Sequence, residues 1–341
     1  MVGVDISDRS IKIIRSTDKR PREFQSYCIY EMPGGIMENG IILDREKLQA
    51  ALGDVFKQCN IKKLDKETFV FSIPETRSFL RVIEIPDMQE DEVSEAIKWE
   101  VAQHIPFGSE YVDWQPIRSG KHLKTSNQKQ EIQVGAAQRK IVDSLYEALQ
   151  VFDFDVAAFE LESQAITRAL ISDELREQEG IVVVDIGGTG TNVIIHDHGA
   201  MRFTASLQRG LLSALEVLSD DERAALTGTD DLTDEQKASM TPKLEPVTDS
   251  LVTEILSIAE FYSGIDSNHE VKEIILTGGG SNLPTLDAAF LAHFDDVHIQ
   301  RGNPWANIMN SLKSRRPPMG VAESVRYSTA FGLAMREVIF T

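Results

Sequence analysis

The sequence is poor in cysteine, in positive charge and in long apolar runs, and each shortage removes a class of protein. Cys28 and Cys59 are the only cysteines, too few and too far apart in sequence for a zinc knuckle or a disulfide framework. The 35 Lys and Arg are outnumbered by 54 Asp and Glu, a formal charge of −19. Nucleic-acid binding needs a concentrated basic face, so that function is set aside, as is direct adhesion to an anionic membrane surface. The longest apolar runs, IVVVDIGG and EIILTGGG, are strand-sized and far short of the ~20 residues of a bilayer span. The N-terminal MVGVDISDRS has neither the basic region nor the apolar stretch of a signal peptide. No repeat and no low-complexity tail is found. What is left is a soluble, intracellular chain of 341 residues, enough for two or three lobes at ~100–200 residues each.

Val2–Ile6, Ile11–Arg15 and Phe24–Glu31 are β-branched or aromatic runs separated by polar turns, which predicts a strand meander. A loop at Pro33–Gly35 follows. The spacing of Leu48, Ala51, Leu52, Val55 and Phe56 predicts a helix from about Asp44 to Cys59, and Thr68–Ile73 reads as a strand ended by Pro74. SFLRVIEIP is a further strand. Asp87 and Glu90 form a capping-box pattern opening a helix that Ile105-Pro106-Phe107 stops. Two strands flanking a polar loop and a helix from about Lys140 to Phe152 complete a β-α-β-β-α block near Arg77–Asp153. Beyond it the reading gives a strand at Val156–Glu160 and a helix near Ser163–Leu175. Two strands then flank a glycine turn in IVVVDIGGTGTNVIIHDHG. An amphipathic helix at Leu251–Tyr262, the strand of EIILTGGGSNLP and a closing helix at Ser328–Arg336 follow.

Three segments share one construction, a buried strand ending in a tight polar or glycine turn: GVDISDRSIK, VVVDIGGTGTNVII and ILTGGGSNLP. Glycine lets a backbone approach an anion closely, and a turn aims several N–H groups at one point. Asp5 and Asp185, each at a strand end, suit the hydrated cation that accompanies a polyphosphate. Two strand–Asp–turn–strand units far apart in sequence predict duplicated lobes closing on one nucleotide.

The order Asp5…Lys12, helix, Asp185…Asn192, Gly278–Gly280, closing helix resembles the motif signature of the actin-like ATPase superfamily. RVIEIPDMQEDEVSEAIKWEVAQHIPFGSEYVDWQPI is similar to the corresponding block of the type IV pilus assembly protein PilM family. The similarity continues through FELESQAITRAL, EILSIAEFY, EIILTGGGSNLPTL and RGNPWANI, so it covers nearly the whole chain. The resemblance implies an α/β fold with ribonuclease H-like duplicated lobes and an inserted subdomain 1C (SHS2-like), as in the related cell-division protein FtsA. It places residues 1–76, with 154–178 and 326–341, in the first lobe, 77–153 in subdomain 1C, and 179–325 in the second lobe.

The resemblance further implies a cytoplasmic scaffold that binds ATP with Mg and assembles into a ring. A PilN-like bitopic inner-membrane protein would recruit it to the membrane through an N-terminal peptide held where subdomain 1C meets the first lobe. Carried over by residue, Asp5, Ser10 and Lys12 lie on the first phosphate hairpin. Asp185, Gly187, Gly188, Thr189 and Thr191 lie on the second. Gly278, Gly279, Gly280 and Asn282 line the nucleoside end, with Glu254 at the ribose or base. Asp5 and Asp185 would face the metal, and Phe107 and Tyr111 the partner. The family's first turn reads DIGxxxIK, whereas this chain reads DISDRSIK. Ser7 therefore predicts a turn burdened by a Cβ where φ > 0 is wanted, and Asp8 adds negative charge beside the phosphates. Slow or no hydrolysis is expected.

Glu160 and Glu162 stand where a water-orienting carboxylate belongs, against a simpler reading as solvated carboxylates. His196-Asp197-His198 reads as a hairpin turn rather than a metal pair, and the acidic runs near 219–236 as a solvated face. Two other functions are consistent with the superfamily. A metabolic phosphotransferase needs a sugar pocket for which no segment is evident. An FtsA-like filament would carry a basic amphipathic tail, whereas this chain closes on Val338-Ile339-Phe340-Thr341.

Overall fold

The computed structural model describes all residues except 18–22, 62–66, 87, 89–91, 98, 100–109, 118–128, 173–174, 176–179, 229–231, 265–269, 295, 310–316 and 338–341. The predicted cap at Asp87 and Glu90 and the Ile105-Pro106-Phe107 stop lie outside the described residues.

Two sheets carry the chain, and their strand orders repeat. In the first, Val2–Ile6 forms a hairpin with Ser10–Ser16, which pairs antiparallel with Phe24–Glu31; Thr68–Ile73 and Asp155–Leu161 add in parallel on the other side. In the second, Ile181–Ile186, Thr191–Asp197 and Ala200–Leu207 repeat the meander, and Glu273–Thr277 and His298–Arg301 repeat the parallel additions. Val2–Ile6 and Glu273–Thr277 are buried along their whole length, as parallel strands covered on both faces must be. The duplication expected from the paired motifs is thus present in the topology.

Sequence alone did not show that the second sheet continues. Ala200–Leu207 meets Ser78–Pro86 at one register pair, Phe203 opposite Arg81. Lys129–Gln138 and Glu110–Pro116 then extend the sheet to eight strands. Around the junction Arg81 lies over the rings of Phe79 and Phe203, at 5.4 and 5.2 Å from their centroids. Arg202 pairs with Glu131 at 2.7 Å, and Gln133 donates to the Met201 carbonyl at 2.9 Å.

Helix Arg45–Gln58 forms where its apolar stripe predicts, with Asp44 as N-cap accepting from the Lys47 N–H at 3.0 Å. Its buried face, Leu48 to Phe56, packs on the first sheet beside an aromatic cluster of Phe56, Phe69, Phe152 and Phe154. That packing corrects the reading of the cysteines. Strand Phe24–Glu31 and the C-cap of this helix bring Cys28 and Cys59 to a Cα–Cα distance of 5.9 Å, and the two are disulfide-bonded. Their separation in sequence says nothing about a contact made between a strand and a helix.

Helices Glu162–Leu170 and Ser328–Ala334 cover the other face of the first sheet. Small residues set their approach. At Gly332 a Cβ would strike the Ala165 backbone, and at Gly3 the Ala330 carbonyl. The expected helix at Leu251–Tyr262 is the last part of a 30-residue helix, Asp234–Ser263, containing Pro242 and Pro246. Each proline removes one N–H donor, which suggests a boundary to a sequence reading. The buried stripe from Met240 through Leu244 and Thr248 to Tyr262 holds the helix against the second sheet. Among the described residues no helix is long and apolar enough to cross a membrane.

Candidate functional site

The two hairpins that the sequence singled out have one geometry. Asp5 lies opposite Lys12 as Asp185 lies opposite Asn192, and the Ser7 N–H bonds to the Ser10 carbonyl as the Gly187 N–H bonds to the Gly190 carbonyl, both at 2.9 Å. The turns meet at their apices: Thr189 Oγ1 donates to Asp8 Oδ2 at 3.4 Å, and Arg9 passes beside Gly188.

Behind the apices lies a polar cluster. Lys12 Nζ is 3.2 Å from Asp5 Oδ2, and Ser72 Oγ donates to Asp5 Oδ1 at 3.1 Å. Desolvation alone would lower the Lys12 pKa, but the charges of Asp5 and Asp185 hold it above the ordinary lysine value. Asp185 is pushed up to about 6, chiefly by desolvation, with Lys12 pulling the other way and Asp5 and Glu75 adding repulsion. Glu162 accepts from Asn192 Nδ2 at 3.1 Å and from the Glu75 N–H at 3.3 Å. Desolvation and then the charges of Asp5, Asp185 and Glu75 hold Glu162 well above the usual carboxylate range. Glu75, also raised by burial, accepts from the Ser163 N–H. Glu162 thus stands inside the cluster and not on a solvated edge. Glu160 is elsewhere and structural: its carboxylate, 1 % exposed, forks onto Arg168 and pairs with Arg336 at 2.9 Å.

Ser7 does not carry the predicted strain. It is not among the non-glycine residues with positive φ. Its hydroxyl donates to the Ser10 carbonyl at 3.0 Å and accepts from the Ser10 N–H at 3.2 Å, so the Cβ carries a group that fastens the turn. Nor do Gly187, Gly188 and Gly190 have positive φ. Their part is close packing: the Leu211 and Leu212 N–H groups bond to the Gly187 and Gly188 carbonyls, where a Cβ on Gly210 would lie 2.7 Å from both.

The remaining sequence candidates divide. Ser10 is buried in the first turn. Thr191 Oγ1 is committed to the Arg209 carbonyl at 2.7 Å. Gly278 has φ +80°, and a Cβ there would sit 2.5 Å from Asp185 Oδ1, so a bare backbone is required beside that carboxylate. Gly279 and Gly280 continue the turn. Asn282, exposed, donates to the Ala322 carbonyl, and Glu254 pairs with Arg209 at 3.2 Å. Sequence reading missed Arg326, which lies beside Gly279 and reaches Glu31 at 3.0 Å from the closing segment. His196-Asp197-His198 is the hairpin turn expected, with His198 at φ +49° and Asp197 accepting from Tyr262 Oη at 3.1 Å. The acidic run is partly structural, since Ser219 with Glu222 and Thr233 with Gln236 form capping boxes.

A second feature lies where helix Arg139–Leu149 meets the first sheet. Ile6, Met37, Ile42, Ile141 and Leu145 line a cavity of ≈ 150 Å³. That is below the ~300 Å³ of small-molecule sites and enough for an apolar side chain or two. Tyr111, 43 % exposed, lies on strand Glu110–Pro116 against the same helix, its hydroxyl donating to Asp143 at 2.9 Å and Arg139 stacked on its ring at 3.8 Å. Phe107 lies outside the described residues.

Repeated sheets, paired Asp hairpins and a glycine turn beside the second Asp define an actin-like ATPase fold. The chain belongs to the type IV pilus assembly protein PilM family, whose model matches residues 3–338. It is similar to a solved PilM–PilN type IV pilus biogenesis complex, with a TM-score of 0.76 and 19 % identity over 98 % of this chain and 97 % of that one. It is also similar to the ethanolamine utilization protein EutJ from Carboxydothermus hydrogenoformans, with a TM-score of 0.55 and 12 % identity over 98 % of this chain and 88 % of that one. No curated protein matches the sequence.

Proposed function

We propose that this chain is an ATP-binding scaffold of type IV pilus assembly that holds the N-terminal peptide of a PilN-like bitopic inner-membrane protein. Membership of the family over residues 3–338 is the observation that carries the reading. The similar PilM–PilN complex supports the choice of partner. In this reading residues 1–76, 154–178 and 326–341 form one lobe, 179–325 the other, and 77–153 the inserted subdomain. The protein is cytoplasmic and reaches the membrane through its partner, and copies associate into a ring.

The residues fit a magnesium nucleotide in a particular way. Among the described residues no three His, Cys, Asp or Glu side chains converge as a metal cage. Asp5 already accepts from Ser72 and Lys12. Asp185, desolvated and beside the charges of Asp5 and Glu75, is a group that a nearby cation would stabilise. Such a set suits Mg²⁺ that keeps waters and leans on phosphate oxygens. The metal would supply charge neutralisation; Lys12 and the turn backbones would position the phosphates. Glu162 Oε2 already accepts from Asn192 Nδ2 and the Glu75 N–H, so that oxygen is engaged by the protein, which supports slow or no hydrolysis.

Calorimetry tests the nucleotide half. Asp185→Ala should abolish Mg²⁺-dependent ATP binding, and wild-type affinity in the variant would sink it. For the partner, the ≈ 150 Å³ cavity supports an apolar anchor at the junction. Ile141→Asp should weaken binding of the N-terminal peptide of the PilN-like protein from the same organism by about tenfold or more. If Ile141→Asp, Phe107→Ala and Tyr111→Ala all leave that affinity untouched, the peptide binds elsewhere.

A further inference from the structure

Asp8 stands at the apex of the first turn, facing Thr189 of the second across 3.4 Å. By the shared turn geometry its counterpart in the second hairpin is Gly188, so one apex is charged and the other bare. The carboxylate is also fixed. Its two oxygens accept from the Asn39 and Gly40 N–H groups at 2.8 and 3.0 Å. Both donors belong to left-handed residues, with φ +48° and +74°, and a Cβ on Gly40 would lie 2.7 Å from Pro74. That loop is therefore built to present consecutive N–H groups to Asp8.

The nearby cations do not cancel this charge. Among the described residues no ion pair reaches Asp8. Arg9 extends over the 33–35 loop instead, its Nη1 lying 2.6 Å from where a Gly34 Cβ would be. Lys12, Arg209 and Arg326 are already paired with Asp5, Glu254 and Glu31.

We propose that Asp8 makes this site select nucleoside diphosphate over triphosphate, by holding a fixed negative charge in the gap between the two turn apices. The inference rests on the nucleotide reading above. A terminal phosphate entering the gap would meet a carboxylate that cannot withdraw without giving up two backbone hydrogen bonds. A diphosphate, one phosphate shorter, brings less charge toward it. Repulsion over several ångströms at the part-exposed mouth of the cleft amounts to about 1.4 kcal/mol, a tenfold preference.

The test is calorimetry on the full chain with ADP and with a non-hydrolysable ATP analogue, each with Mg²⁺. Wild type should bind ADP about tenfold more tightly. Asp8→Asn, which keeps an acceptor for Asn39 and Gly40, should bring the two affinities within about threefold by improving the triphosphate. A wild type that binds the triphosphate as well as the diphosphate overturns the proposal, whether or not Asp8→Asn folds. So does an Asp8→Asn ratio equal to wild type. A chain that binds neither nucleotide overturns the nucleotide reading itself.

Discussion

Ser7 and Gly187 occupy the same place in two hairpins that close with the same 2.9 Å backbone bond, yet the turns are held by different means. The first is fastened from within by the Ser7 hydroxyl bonding both ways to Ser10, and its apex is also held from outside, Asp8 accepting from Asn39 and Gly40 and the Arg9 carbonyl from Met32. The second is fastened from outside, by the Leu211 and Leu212 N–H groups docking on its carbonyls. A turn that supports itself tolerates a side chain at its first position. In the second the tight places are Gly187, whose Cβ would lie 3.1 Å from the Gly190 carbonyl, and Gly210, whose Cβ would lie 2.7 Å from the Gly187 and Gly188 carbonyls. Glycine in such a loop is a statement about neighbours as much as about φ.

The Asp residues differ in the same way, and this gives the sharpest break. Asp5 is ion-paired with Lys12, whereas for Asp185 desolvation with the charges of Asp5 and Glu75 outweighs the pull of Lys12. Asp5→Asn strands a buried ammonium and should cost about 3 kcal/mol at pH 7.5, by urea unfolding. Asp185→Asn should have the opposite sign. Its folded pKa of about 6 lies above the 3.8 of an ordinary aspartate, so the folded state holds the proton longer and stability falls as pH rises from about 4 to 6. Removing the charge should therefore stabilise the nucleotide-free protein by about 3 kcal/mol above pH 7, a gain that vanishes below pH 4. Two losses of equal size would dissolve the contrast. Next in size, Gly210→Ala should cost about 2 kcal/mol, because the atoms 2.7 Å from the new Cβ are backbone carbonyls that cannot swing away. The smallest effect belongs to Ser7→Gly, which should lose about 1 kcal/mol and loosen nucleotide binding, where a strained turn would have been relieved. A tighter ATP complex in that variant would show that the hydroxyl bonds are incidental.

Much of this was legible in the sequence because it is local. The stripe Leu48–Phe56 with Asp44 before it, the β-branched run at Ile11–Arg15 and the Asp-turn pairs each carry their signal within a dozen residues. What escaped was made by distant segments. The Cys28–Cys59 bridge, the Glu160–Arg168–Arg336 cluster and the Asp8 bonds to Asn39 and Gly40 join parts of the chain whose proximity no periodicity reports. Pro242 and Pro246 misled in the other direction, as local breakers overruled by the core beneath them. At Ser7 the departure from DIGxxxIK was visible, but its hydrogen bonds were not.

The single pairing of Phe203 with Arg81 bears on how the molecule can move. Segment 77–153 is covalently continuous with the strands of the first sheet at both ends, and its own strands are stitched to the second sheet at one rung. It is therefore a strut across the cleft between them. Any rotation that parts the two sheets must either break that rung, pulling Arg81 off the Phe203 ring, or swing the whole segment along as a lever. The first route is resisted by the Arg202–Glu131 and Gln133–Met201 contacts beside the rung. The second would drag helix Arg139–Leu149, and with it one wall of the apolar cavity, so the small opening at the hinge would widen or narrow with the large one.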